Sequence, residues 1–405
     1  MIRAIHASNY RSLGDDVSVL FPSAPPYLVT LAGPNAAGKS NALDAFRFVA
    51  DALRDGVGPA VRSRGAFASL LRGSSKREIF IGVELVVDDV WWVWGLRLLP
   101  TSTDERVHGW EWGFALRASD VEAVGSAAKL VSASGVRSTA ERLYELALSP
   151  SVTARFINGF FSSSPSGTAA VPEALIRTLY LPRHAEQNPA LAALLDALMR
   201  MSVYAIEPAT LRQRQQRSDA LLMLDRGENW SSVLRSLLPE YRGEMLAALG
   251  AVVPDLVDVR VDPLADDLVV QFEHRDDRGE SLWVPANRES DGTLRLAALL
   301  TALLQEPPPS LIAIEEPELA VHVRALETLR EYIVTRARTT PVILSTHSPH
   351  LLDLLPLDSL RVVARDANGT TILPLSARQK GLVADGVYTL SDLAFSQPLE
   401  GERRA

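Results

Sequence analysis

Apolar positions along the chain fall into runs of two periods, and each run predicts an element. IRAIHASNYRSL at the start and YLVTLAG at 27–33 read as strand, loop and strand. NALDAFRFVADALRDG then spaces its apolar side chains helically and ends on glycine, so a helix is expected over 41–56. IFIGVELVV, VWWVWGLRLL and HGWEWGFALRA are strand-like runs separated by Asp88-Asp89 and by TSTDER, the pattern of an antiparallel meander. Trp91, Trp92, Trp94, Trp110 and Trp112 are read as cross-strand packing rather than as a ligand platform. Residues 118–205 are rich in Ala, Ser and Leu and read as an inserted helical subdomain, with a loop at SSSPSGT and no sustained heptad repeat. From 220 the pattern is amphipathic again, in LLMLDRGENWSSVLRSLLPEY, followed by strand-like LVDVRVDP and DLVVQFEHRD. The last third alternates helix at 292–305, strand at 310–315, helix at 318–338, strand at 341–346, helix at 349–355 and strand at 360–364. Such alternation predicts an α/β fold whose mostly parallel sheet is covered on both faces, with Pro307–Pro309 as a helix stop. The expected division is 1–117, 118–205 and 206–405.

Composition narrows the class. The 405 residues are 47% hydrophobic and 22% charged, ordinary values for a chain with a sizeable core. Cysteine is absent, which excludes disulfides, thiolate metal sites and cysteine nucleophiles, and a reducing cytoplasm is the expected compartment. No apolar run reaches the roughly 18 to 20 residues that span a bilayer, and MIRAIHASNYRSLG lacks the apolar core of a signal peptide, so no membrane partner is expected. The net charge of −8 argues against a surface basic throughout but allows a local basic patch.

GPNAAGKS, Gly33–Ser40, fits G-x-x-x-x-G-K-[ST] without mismatch, with an apolar strand before it and an amphipathic helix after it. In such a turn, with Asn35, Ala36, Ala37 and Gly38 at its tip, backbone N–H groups and the helix N-terminus hold polyphosphate through main chain. Lys39 would reach the β- and γ-phosphates and Ser40 would ligate Mg²⁺. A metal-positioning carboxylate is then needed on a neighbouring strand, and LIAIEE supplies Glu315 and Glu316. Strand alternation cannot put both on one face, but the second can turn over the strand's end toward the phosphates. Mg²⁺ keeps several waters, so Glu315 is assigned to its shell and Glu316 to the attacking water. Pro317 would start the next helix. VILSTHSPH places His347 past another apolar strand, at the same sheet edge, where it could meet a γ-phosphate oxygen or the attacking water; His350 is the weaker candidate. His322 suits either a dimer contact or a helix cap.

GPNAAGKSN, IEEPE followed by His322, and STHSP together resemble the ABC-type ATPase heads of the RecF/SMC class. NYRSL and LDRGENWSSVLRSL point to the branch of stand-alone AAA-family ATPases similar to overcoming-lysogenisation-defect proteins. The likeness covers about 1–50 and 220–395. It implies ATP as the ligand, Asn41 as a further nucleotide contact, and an ATPase head in two lobes, 1–117 and 206–405. RESDGTLRLAALLTALL resembles the family's signature segment, with Ser290 and Gly292 on the family's serine and second glycine and Asp291 where transporters have the first glycine. In the family this segment contacts the γ-phosphate held by the other protomer, which implies a homodimer or higher even oligomer closed around ATP. By itself, Ser290-Asp291-Gly292 reads as a helix cap. Glu315 stands where transporters have aspartate. The glutamine that links metal to the lobe interface has no clear counterpart, Gln187 and Gln271 being the candidates.

Two uses follow from the resemblance. One is an ATPase whose ATP-driven dimerisation controls a DNA-related or anti-phage effector on a separate chain, such as a nuclease, since the tail from 375 is expected to be too short for a catalytic domain. The other is a RecF-like clamp that touches DNA itself. Its contact would be the stretch between Gly56 and Arg77, which holds no acidic residue but has Arg62, Arg64, Arg72, Lys76 and Arg77. A slow nucleotide-gated scaffold is a further alternative. The form of the signature counts against a transporter subunit.

Overall fold

A computed structural model of the protein describes residues 1–72, 78–100, 107–117, 141, 143, 155–162, 179–396 and 398–402. Strands β1 (Ile2–Ser8), β2 (Val17–Leu20), β3 (Leu28–Ala32), β4 (Ile79–Val87), β5 (Val90–Pro100) and β6 (Val107–Arg117) come first. They are followed by β7 (Arg155–Ser162), β8 (Met201–Tyr204), β9 (Gln215–Gln216), β10 (Leu256–Leu264), β11 (Asp267–Arg275) and β12 (Ser281–Pro285). The last four are β13 (Leu311–Glu315), β14 (Val342–Thr346), β15 (Leu360–Asp366) and β16 (Gly369–Pro374).

The central sheet runs β16-β15-β3-β14-β13-β8, parallel except for β16. Its strands read as unbroken apolar runs because both faces are covered. Leu311 and Ala313 of β13 pack in the cluster that holds Phe46, Phe48 and Val49 of the helix Lys39–Asp55. Ile312 and Ile314 face the opposite cluster, with Leu296, Leu299 and Leu303 of the helix Asp291–Leu304. The strand's period of two thus assigns Glu315, at its end, to the face of the first helix.

The second sheet, β2-β1-β4-β5-β6-β7, is antiparallel. Trp94 and Trp112 are fully buried in it. A Cβ on Gly95 would lie 2.3 Å from the Trp112 ring, so glycine is what lets the indole cross the neighbouring strand. Trp94 Nε1 donates to Glu111 (2.8 Å), whose carboxylate also accepts from the amides of Leu181 (3.1 Å) and Tyr180. Burial pushes Glu111 up to about 7 against the lowering effect of these bonds. A small third sheet orders β10-β11-β12, with β9 on β11.

The structure departs from the expected elements in several places. RFINGFFS and MSVY, inside the stretch read as helical (118–205), are strands: β7 pairs with β6, and β8 adds to β13 in the central sheet. Both are short, and what makes them strands is a partner far along the chain, which no local period reveals. The expected loop SSSPSGT lies, apart from Ser162, outside the described residues. Strands β2, β9, β12 and β16 were not anticipated. The helix expected from 318 begins at Val323, so Pro317 does not start it; residues 317–320 form a turn. His322 is that helix's N-cap, its Nδ1 accepting from Arg324 N at 3.2 Å.

Candidate active site

Strands β3, β14 and β13 are neighbours, and their C-terminal ends deliver the parts of the site to one edge. After β3 comes Gly33–Ser40. Gly38 sits at φ +110°, and a Cβ there would lie 2.2 Å from Thr370 Oγ1; at Gly33 it would lie 2.2 Å from the Val363 carbonyl oxygen. Both positions require glycine. Ala36 adopts φ +61°, where a side chain costs roughly 1 kcal/mol, strain of the kind that functional loops hold. The loop is braced from NYRSL and β16: Thr370 Oγ1 bonds Ala37 O (2.6 Å) and Ser12 Oγ (2.9 Å), and Asn41 Nδ2 donates to Ser12 Oγ (2.7 Å). Asn41 therefore faces the brace. Asn35, Ala36 and the Ser40 side chain are exposed.

Lys39 folds back on its own loop, donating to Gly33 O (2.7 Å) and Pro34 O (3.1 Å). Burial pulls its pKa down, while the charges of Glu316 and Glu318 push it up. Two neutral carbonyls are weak partners for an ammonium, and a polyphosphate would be a stronger one.

Glu315 and Glu316 are adjacent in sequence and differ in surroundings. Burial raises the pKa of Glu315; Arg47 opposes this, while Asp44, Glu316 and Asp225 reinforce it. It lies on the face of the helix that begins at Lys39, and among the described residues no hydrogen bond reaches its carboxylate. A half-buried carboxylate facing the helix that carries the exposed Ser40 suits a hard cation that keeps most of its waters. Glu316 takes φ +44° as its amide donates to Ser345 O (2.9 Å). That turn carries its side chain out of the strand's alternation to His347, whose Nδ1 lies 3.1 Å from Glu316 Oε1. Glu318 follows in the turn, and its Oε1 accepts from Thr346 Oγ1 (2.6 Å), His347 N (3.1 Å) and Ser348 N (3.2 Å).

The helix Asp291–Leu304 reaches the same turn from behind. Arg295 is 4% exposed and donates to the carbonyls of Glu316 (2.9 Å), Glu315 (3.3 Å) and Ile206. A Cβ on Gly292 would lie 2.9 Å from Ala320 O. At its N-terminus Ser290 Oγ accepts from Thr293 N (3.1 Å), and Asp291 pairs with Arg212. Among the described residues no hydrogen bond or ion pair joins Ser290–Gly292 to Gly33–Ser40.

A family model described as "AAA domain, putative AbiEii toxin, Type IV TA system" matches residues 28–353. The chain belongs to this AAA family. Among solved structures it is similar to the Smc head bound to the C-winged helix domain of ScpA, with 14% identity over 94% of this chain and 99% of that one and a TM-score of 0.54. It is likewise similar to the Smc head domain with a coiled coil and joint from Pyrococcus yayanosii, with 11% identity over 95% and 99% and a TM-score of 0.51. At such identities the likeness is one of fold. No curated protein matches. The fold is that of an ABC-type, SMC-like ATPase head, and no helix among the described residues is long and apolar enough to cross a membrane.

In this ATPase head the anticipated site residues lie in three groups. The loop 33–40, Glu315, Glu316 and His347 share one sheet edge; Ser290–Gly292 stand apart from the loop; the basic stretch is divided. Arg64 is turned inward, with a side chain 5% exposed that pairs with Asp44 (3.0 Å) and Asp51 (2.8 Å), so it is not available to DNA. Its partners come from the helix Lys39–Asp55, which the acid-free stretch did not reveal. Arg72 donates to Ala367 O (2.8 Å), Arg62 is exposed, and Lys76 and Arg77 lie outside the described residues. His350 is exposed in the helix Pro349–Leu354. Gln271 bonds Arg260 (2.8 Å) on the third sheet, and Gln187 is exposed beyond the helix Tyr180–Ala185. Glu318 and Arg295 escaped sequence reasoning. Their signals were the third acid of IEEPE and the one charge among the buried positions 293–304.

Proposed function

We propose that this ATPase head hydrolyses ATP between two copies of the chain. The observation that carries the proposal is the contact of Glu316 with His347 at the edge where Lys39 emerges. The loop 33–40 holds the phosphates through its amides, and Lys39 leaves the carbonyls of Gly33 and Pro34 for the β- and γ-phosphates. Ser40 and Glu315 would hold Mg²⁺, which when bound neutralises phosphate charge. Glu316 accepts the hydrogen bond of the attacking water and orients it, and His347 steadies Glu316 and meets the γ-phosphate. Ser290 and Gly292 of a second copy complete the phosphate contacts.

The same reading makes ATP-driven closure a switch for a separate effector protein in a DNA-related or anti-phage setting. The family's description, which names a toxin of a type IV toxin–antitoxin system, supports a defence role. The test is molecular mass with and without ATP, alongside phosphate release. Glu316→Gln is expected to stop hydrolysis and accumulate an ATP-bound dimer, with turnover down by about 10²-fold or more. A Glu316→Gln protein that turns over like wild type would falsify the assignment.

A further inference from the structure

The turn that carries Glu316 also carries Glu318, and Glu318 spends its hydrogen bonds on a different element. Oε1 accepts from the Thr346 hydroxyl (2.6 Å) and from the amides of His347 (3.1 Å) and Ser348 (3.2 Å). Its other oxygen is buried and has no partner among the described residues, so none of the side chain's directional contacts there serve its own turn. The side chain is 8% exposed, which shields those bonds from water.

What it holds is the segment that needs holding. Strand β14 ends at Thr346 and the next helix begins at Pro349, so His347 and Ser348 lie between two ladders. Ser348 Oγ caps that helix by accepting from Leu351 N (3.3 Å), and the Ser348 amide also reaches Thr346 Oγ1 (3.0 Å), so Glu318 is the acceptor of the His347 amide and shares that of Ser348. A carboxylate oxygen on both amides fixes the backbone of His347 and hence the origin of its imidazole. The same imidazole lies 3.1 Å from Glu316 Oε1 and 3.7 Å from Glu318 Oε1. Two acids of one turn thus divide the work: Glu316 meets the ring, and Glu318 holds the backbone beneath it.

We propose that Glu318 is a positioning residue for hydrolysis, holding Thr346–Ser348 so that His347 meets Glu316 and the γ-phosphate. The inference rests on the ATPase reading of the site. A positioning role needs an acceptor oxygen at Oε1 rather than a charge, and it acts on turnover rather than on nucleotide capture, which belongs to Gly33–Ser40. Misplacing a reacting group by about 1 Å costs up to about 10²-fold in rate.

The experiment is steady-state ATP hydrolysis by Glu318→Ala, Glu318→Gln and Thr346→Val, with Glu316→Gln beside them. Glu318→Ala should lower kcat by about tenfold or more and leave the KM for ATP within about threefold. Glu318→Gln, whose amide oxygen can take the same three bonds, should recover kcat to within about threefold of wild type. Three outcomes overturn the proposal: wild-type turnover in Glu318→Ala, a Gln variant as slow as the Ala variant, or a loss confined to KM. If Glu318→Ala does not fold, Thr346→Val decides. It removes one of the three donors to Glu318 together with the second acceptor of the Ser348 amide, and unchanged kcat in it overturns the proposal as well. Loss of activity in Glu316→Gln with normal turnover in Glu318→Ala rejects this inference alone. Full activity in Glu316→Gln rejects the ATPase site beneath it.

Discussion

Two helix N-termini are the candidate phosphate contacts of this molecule, and they are built in opposite ways. The helix after Gly33–Ser40 has Gly38 as its N-cap, no side-chain cap bond and no acid in its first turn. Its leading amides and dipole are left for a ligand. The helix at Asp291 is capped by Ser290 and carries Asp291 in its first turn, so part of its hydrogen-bonding capacity is used and part of its positive end is offset. Arg212 answers Asp291 and also donates to Glu289 O (2.6 Å), while Glu289 accepts from Ser290 N (2.7 Å) and meets His274 (2.8 Å). In the proposed function the first terminus would be the primary phosphate site. The second, held in shape by its own charges, would be the weaker one, meeting a phosphate that another loop already holds. The proposed ATP-sandwiched dimer would use that asymmetry in its two half-sites.

Removing the stronger half should have the largest effect. Lys39→Ala takes away the only side-chain cation of the loop, and ATP binding followed by calorimetry should weaken by at least about 10²-fold, with hydrolysis lost in step. If the variant binds ATP like wild type, the loop is not the primary site.

A smaller effect is expected at the weaker half. Arg212→Gln leaves Asp291 unanswered where a phosphate should arrive. A charge at a helix end is worth about 0.3–1 kcal/mol, so ATP-driven association should weaken about two- to fivefold while ATP binding to the single chain is unchanged. An equal loss in both measurements would remove the distinction between the halves.

The smallest effect is a pH dependence confined to the second half. Burial lowers the pKa of His274, but its hydrogen bonds to Glu289 and Asp255 outweigh this and raise it above the ordinary 6.5. A raised histidine pKa means that the folded state binds the proton more tightly than the unfolded one. The resulting stability is present in full below the ordinary value and is lost as pH rises through the folded one. The melting temperature of wild type should therefore exceed that of His274→Gln by more at about pH 5.5 than at about pH 9. A difference that is flat with pH, or larger at the alkaline end, contradicts the assignment.

The sequence disclosed what depends on neighbours along the chain. The loop 33–40, the Ser290 cap, the buried run of β13 and the turn of Glu316 away from Glu315 at its end all follow from residues within a few positions of one another. Elements defined by distant partners were hidden. MSVY is a strand because β13 lies beside it, some hundred residues on, and RFINGFFS because β6 does. Arg64 looked free because Asp44 and Asp51 belong to the helix Lys39–Asp55, outside the acid-free stretch. The role of Glu318 was hidden because its three donors sit on the next strand's end.

The central claim, that one copy's Glu316 works against another copy's Ser290, is tested most directly by mixing two inactive variants. Glu316→Gln keeps its signature helix and Ser290→Arg keeps its catalytic edge, and both retain the loop that binds ATP. In a mixed dimer one of the two sites is wild type on both sides. The account predicts that each variant alone hydrolyses ATP at a few per cent of the wild-type rate or less, on the order expected for loss of a catalytic group, and that mixing them restores a substantial fraction. A mixture as inactive as its components, or a Ser290→Arg protein that is fully active alone, would contradict it.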